Sequence, residues 1–348
     1  MIPVEVIFNP NWWHRNYGVC FDERFYLDRQ TRIDCDLLMR TALYNRYGFG
    51  EKHPHPRPVL GSMMVAGGFV LPALFGIPVR FSNDEAPWPG GQPLSDMEIM
   101  ALRPPDLEHT WPMDHLLRDA AVLQDIYGNV IGDFDLDGLF NTALHLRGQQ
   151  IFIDLMEKPE LMHHLFQVLA DTYVSLVNLM RRLTETCSIA TNRSIINVNP
   201  AIFLHSNCSV NMISSSLYEK VLLPYELYLA ERLQPYGIHH CGDKLHRFVK
   251  VYSRIPAIFF DVGWGSDVRK CRQALPDVFL NLRLSPVRML QCSAAEIYQD
   301  ATSLLQAAGS PRQVGVCCIN MDAGTPDENV RAMIAAAEEY SRQTIKEN

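Results

Sequence analysis

A regular alternation of short apolar runs and amphipathic stretches fills the second half of the chain, from about residue 190 onward. Each apolar run ends at polar residues and leads into a stretch with helical spacing, which is typical of βα units around a parallel sheet. Five runs are predicted strands: 194–198, 237–241, 257–262, 277–282 and 313–318. Since five units occupy less than half of the 348 residues, the pattern predicts about eight units and therefore an α/β protein with a (β/α)8 TIM barrel.

Helix starts are marked by Ser or Thr with Glu three residues later, the pattern of a capping box. It occurs at Ser216, Ser293 and Thr325. A long helix is predicted from Pro159 to about Thr186, where leucines recur near helical spacing. We expect residues 1–348 to form one domain, with about residues 1–60 as an N-terminal cap over the barrel.

Composition excludes several classes of protein. A net charge of −8 and a pI near 5.8, without any basic run, argue against a nucleic-acid binder. No apolar stretch is long enough to cross a membrane and the first residues do not form a signal peptide, so a cytoplasmic location is expected. Nine cysteines in such a chain are expected to be reduced thiols.

Two clusters of soft ligands suggest a metal site. His239 and Cys241 are two residues apart at the end of a predicted strand, so both side chains point to one face. Cys317 and Cys318 end another predicted strand, too far along the chain for a zinc finger. A His-x-Cys pair alone also arises by chance in a chain of this length. The other six cysteines are expected to be structural: Cys20, Cys35, Cys187, Cys208, Cys271 and Cys292.

Further candidates lie near predicted strand ends or in the aromatic N-terminal third. Asn197, Asn199 and Asp261 are candidate catalytic residues, although Asn199 could form only a turn and Asp261 a cap. His205 is a candidate substrate-binding residue or a loop histidine with satisfied hydrogen bonds. Four aromatic residues could hold a substrate ring or could simply pack in the core: Trp12, Trp13, Tyr17 and Trp88.

Several blocks spread over nearly the whole chain resemble the uroporphyrinogen decarboxylase superfamily, and within it the zinc-containing, cobalamin-dependent methyltransferases. The most specific blocks are His239-His240-Cys241-Gly242 and residues 324–330; the others are 60–68, 138–148 and 214–225. The resemblance implies a zinc ion bound by His239, Cys241 and a cysteine before the 324–330 block. We favour Cys318 over Cys317, and adjacent strand residues point to opposite faces, so only one of them should bind.

The resemblance implies methyl transfer that involves a corrinoid, held by a separate carrier protein. Zinc would either activate a small aromatic methyl ether for demethylation by cob(I)alamin, or lower the pKa of a thiol that takes the methyl group of methylcobalamin. Uroporphyrinogen decarboxylase activity is less expected, because the arginine-containing N-terminal signature of those enzymes has no counterpart in residues 9–18. A non-catalytic corrinoid-binding relative is a further alternative, which an intact set of soft ligands disfavours.

Overall fold

The computed structural model describes residues 2–61, 68–132, 135–184, 198–199, 201–309 and 312–346. In these ranges, six strands form one parallel sheet in the order β1-β8-β7-β6-β5-β4, and two short strands form an antiparallel hairpin. The strands are β1 Val4–Phe8, β2 Val79–Arg80, β3 Trp88–Pro89, β4 Phe203–Ser206, β5 Tyr236–His240, β6 Phe259–Val262, β7 Phe279–Arg283 and β8 Val314–Met321.

Helices follow or precede the strands throughout the described ranges. They are α1 Pro10–Tyr17, α2 Glu23–Leu27, α3 Arg29–Tyr47, α4 Val70–Leu74, α5 Asp96–Ala101, α6 Met113–Tyr127, α7 Leu139–Arg147, α8 Ile151–Glu157, α9 Pro159–Leu183, α10 Ser215–Val221, α11 Leu223–Arg232, α12 Val249–Tyr252, α13 Val268–Ala274, α14 Pro286–Gln291, α15 Ala294–Ala308 and α16 Asp327–Lys346. No described helix has both the length and the apolar character needed to cross a membrane.

Strand register sorts the side chains of the sheet onto two faces. One face packs into the main hydrophobic core, which includes Ile238, Phe260, Leu280 and Val316. On the other face, the rings of Phe259 and Phe279 stack with their centroids 5.3 Å apart. One pair further toward the carboxyl ends, on the same face, a polar row crosses the sheet: Ser206, His239, Asp261, Asn281 and Gly315. An apolar layer therefore lies beneath a polar layer at the end of the sheet where barrel enzymes carry their active sites.

Four of the five predicted strands are confirmed, with ends shifted by a few residues. The fifth, 194–198, lies outside the described residues except for Val198, which is in a turn. Strand β4 was not predicted, because His205 and Ser206 interrupt its apolar run. Both side chains are buried in the structure, so a polar sequence here does not indicate an exposed loop.

The sheet departs from the predicted architecture at the N-terminus. Strand β1 pairs in parallel with β8, so the segment predicted to cap the barrel begins as part of the sheet. Outside the named strands, Val59 and Ile131 form an isolated parallel bridge. The described residues thus support a curled parallel sheet of six strands rather than the full set of eight predicted from the sequence.

Helix boundaries agree with the predicted signals at two places. Ser293 and Glu296 form a complete capping box at α15, and α9 begins at Pro159 as predicted. Near the predicted box at Ser216, the N-cap is instead Ser214, whose side chain accepts a hydrogen bond from the Leu217 amide.

A candidate metal centre at the carboxyl ends of the strands

Three soft ligands meet where β4 and β5 end. The ligand atoms of Cys208, His239 and Cys241 all lie within 4.8 Å of one another. The backbone amide of Asn207 donates to the His239 carbonyl oxygen at 2.7 Å. This hydrogen bond extends the pairing of β4 and β5 beyond Ser206. This extension brings Cys208 beside the His239-x-Cys241 pair.

The residues behind His239 fit a metal site. Nδ1 of His239 lies 2.5 Å from Oδ2 of Asp261, and the Asn281 amide donates to Oδ1 of Asp261 at 2.7 Å. Because an ionised carboxylate only accepts hydrogen bonds, Nδ1 must carry the proton, which leaves Nε2 for a ligand. Metal-bound histidines are held by a carboxylate in this way.

The donor set fits zinc. Two thiolates and one imidazole are preferred zinc ligands, and three protein ligands leave the fourth tetrahedral position open. Ligand atoms on one tetrahedral zinc ion lie roughly 3.5 to 4 Å apart, and the three ligand atoms here lie within 4.8 Å of one another. Cys208, His239 and Cys241 would hold the ion, and Asp261 would orient the imidazole.

Burial and neighbouring groups set the protonation states of the three candidate ligands. Burial opposes a charged His239, but Asp261 outweighs this effect and raises the pKa of His239 to about 9. The Cys208 thiol donates a hydrogen bond to the Cys241 sulfur and lowers the pKa of Cys241 well below its usual value. The same interaction raises the pKa of Cys208. A metal ion that binds here must therefore displace protons from His239 and Cys208.

Arg283 adds a buried positive charge on the same face of the sheet. It is the last residue of β7, lies opposite Cys317 and is only 5% exposed. Burial lowers the pKa of Arg283, but the neighbouring Cys317, Cys241 and Asp261 raise it above its usual range. The guanidinium therefore stays charged beside the cluster.

Two glycines allow the loops above the cluster to pack closely. A Cβ atom on Gly263 would lie 1.7 Å from the carbonyl oxygen of Gly242, the residue that follows Cys241. A Cβ atom on Gly242 would lie 1.5 Å from Nδ2 of Asn211. A side chain at position 263 would move the backbone of the loop that carries Cys241, whereas one at position 242 would displace the Asn211 side chain.

The structure brings together two of the three predicted metal ligands. Cys318 lies in the main hydrophobic core, and its thiol contacts the Leu284 carbonyl oxygen at 3.7 Å. Cys317 faces the polar layer, where its sulfur lies 3.3 Å from Nδ2 of Asn281, but it is not part of the three-ligand group. The third member is Cys208, for which the sequence predicts a structural role. Its signal in the sequence is weak, because Cys208 lies four residues after the apolar run 201–204, whereas Cys241 directly follows β5.

The predicted catalytic residues have different environments. Asp261 lies in the centre of the polar row and holds His239. Asn199 lies before β4, at the amino end of the sheet, and its side chain accepts the Ala201 amide at 2.9 Å. It therefore forms a turn, at the opposite end of β4 from Cys208. Asn197 lies outside the described residues.

The four aromatic candidates for binding a substrate ring do not gather at the cluster. Trp12 and Trp13 are each 1% exposed, and the Trp12 ring stacks on Phe8 at 3.8 Å. Tyr17 packs against both indoles, so these three rings belong to the core. Trp88 lies apart on the β2–β3 hairpin, is 64% exposed, and meets His145 edge-on.

His205 also lies away from the cluster. Its Nδ1 donates to Oε1 of Glu226 at 2.8 Å, and its Nε2 accepts the Leu139 amide at 2.9 Å. Since alternate residues of a strand face opposite sides, His205 points away from the face that carries Ser206. The structure thus places His205 where it holds α11 and α7 on the sheet, away from the face that carries the cluster.

Comparisons with known proteins show which family and which solved structures the chain resembles. The chain is similar over 98% of its length to a methyltransferase from Methanosarcina mazei, with a TM-score of 0.68, 15% identity and 94% of that chain covered. A B12-independent methionine synthase from Shewanella sp. W3-18-1, solved with selenomethionine, matches with a TM-score of 0.41 and 9% identity over 66% of this chain and 67% of that one. No match was found among curated proteins. The family model for uroporphyrinogen decarboxylase (URO-D) matches residues 62–340, most of the chain. The chain therefore belongs to the uroporphyrinogen decarboxylase family.

Proposed function

We propose that this protein is a zinc-dependent methyltransferase that moves the methyl group of an aryl methyl ether to the cob(I)alamin of a corrinoid carrier protein. The observation that carries the proposal is the convergence of Cys208, His239 and Cys241 at the carboxyl end of the sheet, with Asp261 behind the imidazole. The similarity of the fold to a methyltransferase from Methanosarcina mazei is consistent with it.

The reaction breaks the bond between the methyl carbon and the ether oxygen and forms a bond between that carbon and cobalt. The electron pair of Co(I) forms the new bond, and the oxygen keeps the old bonding pair and later takes a proton. Bound by the three residues, zinc would supply Lewis-acid stabilisation of the negative charge on the oxygen that loses the methyl group. The corrinoid would approach from the carboxyl rim of the sheet, where the cluster lies.

We favour the ether over a thiol acceptor for an electrostatic reason. In ether cleavage the negative charge on oxygen is created during the reaction, so a group that stabilises it lowers the barrier. A thiolate is charged before it attacks, so the same stabilisation reduces its reactivity. The aromatic residues near the N-terminus do not add support for binding of an aryl ring. Trp12 and Trp13 pack in the core, and Tyr17 packs against them.

Decarboxylation of a tetrapyrrole fits the site less well. A substrate with many carboxylates needs several guanidinium groups to bind them. The polar row of the sheet instead presents soft metal ligands and amides, with Arg283 at its edge.

The decisive test is anaerobic. Zinc-loaded protein is mixed with cob(I)alamin and vanillate, and the Co(I) spectrum is followed as it changes to that of methyl-Co(III). We expect conversion by the wild type and by Cys318→Ala, and loss of both zinc and conversion in Cys208→Ala. The two substitutions remove the same atoms from buried or half-buried sites, so the comparison isolates the ligand role of Cys208.

Either of two results would contradict the proposal. One is wild-type protein with a full complement of zinc that leaves the Co(I) spectrum unchanged. The other is conversion that continues after zinc is removed. Loss of methylcobalamin that depends on an added thiol would move the protein to the thiol-methylating class.

A further inference from the structure

We propose that Arg283 binds a carboxylate of the substrate, so that the molecule that reacts beside the metal cluster is an anionic acid rather than a neutral compound. The inference deepens the proposed function, on which it rests, by naming the class of substrate. Its basis is a buried arginine to which the described protein offers too few hydrogen-bond acceptors.

Two donor groups of Arg283 have no partner among the described residues. Its Nε and Nη1 atoms are buried and make no hydrogen bond within that part of the chain. A buried donor without an acceptor is costly, and the cost is larger for a charged group. Native proteins therefore rarely leave such a group unsatisfied unless a ligand or water completes it.

Other buried arginines in this chain show how the fold usually satisfies a guanidinium. Arg32 is 2% exposed and donates to the Asp119 carboxylate at 2.7 Å and to the Tyr26 carbonyl oxygen at 2.7 Å. Arg147 is 6% exposed and donates to the Asp154 carboxylate at 2.6 Å. Arg283 is buried to the same extent without an equivalent carboxylate contact.

The open donors are placed beside the metal cluster. Arg283 follows Asn281 by two residues on β7, so both side chains lie on the face that carries His239 and Asp261. The Cys241 sulfur is one of the groups that raise the pKa of Arg283. An acceptor that satisfies Arg283 would therefore lie on the face of the sheet that carries His239 and Asp261.

Neighbouring groups do not supply that acceptor. The oxygens of Asp261 already accept hydrogen bonds from His239 and Asn281. Burial raises the pKa of Cys317 well above its usual value, so this thiol is neutral. The sulfur atoms of Cys208 and Cys241 are assigned to the metal. Among the described residues no neighbouring anion is left to pair with Arg283, so an anion brought by the substrate would complete it.

A carboxylate matches the donors in shape and charge. The planar guanidinium binds the two oxygens of a carboxylate through parallel hydrogen bonds. Arg283 also lines a groove of about 410 Å³ with Trp264, Ser266 and Ser285, although none of the three cluster residues lines it. Methoxybenzoates, which carry an ether and a carboxylate on one ring, are the substrate class that fits both the cluster and Arg283.

The test measures binding instead of turnover. Isothermal titration compares two pairs of probes that differ by the carboxylate: 3,4-dihydroxybenzoate against catechol, and 3-mercaptopropionate against 2-mercaptoethanol. We expect zinc-loaded wild type to bind the acid of at least one pair ~10- to 100-fold more tightly, as hydrogen bonds to a charged group allow. The preference should fall to near one in Arg283→Met and stay partly present in Arg283→Lys, which keeps the charge without the planar fork.

Two outcomes would overturn the inference: no preference for the acid in either pair with wild type, or a preference that Arg283→Met leaves unchanged. The wild-type comparison needs no variant, so it decides even if Arg283→Met does not fold. Failure of the proposed function is distinguishable. If the acid binds more tightly but cobalamin is not methylated, the anion site stands and the proposed function fails. If vanillate and guaiacol methylate cobalamin at equal rates and neither acid binds more tightly, only the anion site is refuted.

Discussion

At the scale of single residues, Asp261 determines what His239 can bind. Its carboxylate keeps the proton on Nδ1 and fixes the plane of the imidazole, and Asn281 holds the carboxylate in turn. The hydrogen-bonded side chains of His239, Asp261 and Asn281 lie in register on three neighbouring strands. The candidate metal ligand His239 and its support are thus built on rigid elements rather than on loops.

Asp261→Asn should weaken zinc binding about 10- to 100-fold, the usual effect of losing the carboxylate behind a metal-bound histidine. An amide NH2 facing Nδ1 would favour the tautomer with the proton on Nε2, which cannot bind the metal. Competition with a chromogenic chelator measures the affinity. Asp243→Asn is the control, because Asp243 lies near the cluster but pairs with Lys244. Equal zinc affinity in wild type and Asp261→Asn would refute this role.

At the scale of elements, a buried network ties β4 to the helices that pack on it. Glu226 of α11 accepts hydrogen bonds from His205, Tyr236, Asn207 and Tyr218. Burial alone would raise the pKa of Glu226, but His205, Tyr236 and Asn207 outweigh it and lower the pKa to about 2. Because Asn207 precedes Cys208, the network also positions the end of β4 that carries this ligand.

Glu226→Gln should lower the free energy of unfolding by about 2 to 3 kcal/mol at pH 7, since hydrogen bonds to a buried charge are lost. A carboxyl group whose pKa is lower in the folded than in the unfolded state stabilises the fold above its unfolded pKa. The deficit of the variant should therefore be full above about pH 4.5 and shrink as the pH falls toward 2.

Urea unfolding at several pH values measures this difference. Glu219→Gln is the control, because Glu219 forms an exposed ion pair with Arg254 and such pairs contribute less than about 1 kcal/mol. A deficit of Glu226→Gln that grows on acidification would contradict the assignment.

At the scale of the whole molecule, the two ends of the described chain lie together. Strand β1 pairs with β8, and the amide of Ile2 donates to Oγ of Ser341 on α16 at 2.9 Å. Arg46 and Tyr47 of α3 both bind the Asp327 carboxylate at the start of α16. The main hydrophobic core includes none of Cys208, His239 and Cys241, which lie above a separate apolar layer of the sheet.

Removal of zinc by a chelator should leave the far-ultraviolet circular dichroism spectrum unchanged. The melting temperature should fall, because a ligand present at 100 times its Kd adds about 2.7 kcal/mol to stability. Added zinc should restore it, and Cys208→Ala should not respond to the chelator. Loss of the helical signal on chelation, as in a zinc finger, would show instead that the metal holds the fold together.

Much of the fold followed from local signals in the sequence. Apolar runs and caps identified four strands of the sheet and the starts of α9 and α15. The two-residue period of a strand placed His239 and Cys241 on one face, because that geometry is local. The amino-acid sequence alone thus predicted the βα pattern and identified two of the three cluster residues, His239 and Cys241.

Only the tertiary structure decided which distant residues complete the site. Cys208 reaches His239 because β4 lies beside β5, and Cys318 turns away because the register of β8 gives Cys317 the inner face. Likewise, the sequence left open whether Trp12 and Trp13 hold a substrate ring or pack in the core, and the structure packs both on Phe8. Strand order and register arise from contacts across the whole chain, so local spacing cannot reveal which side chains they bring together.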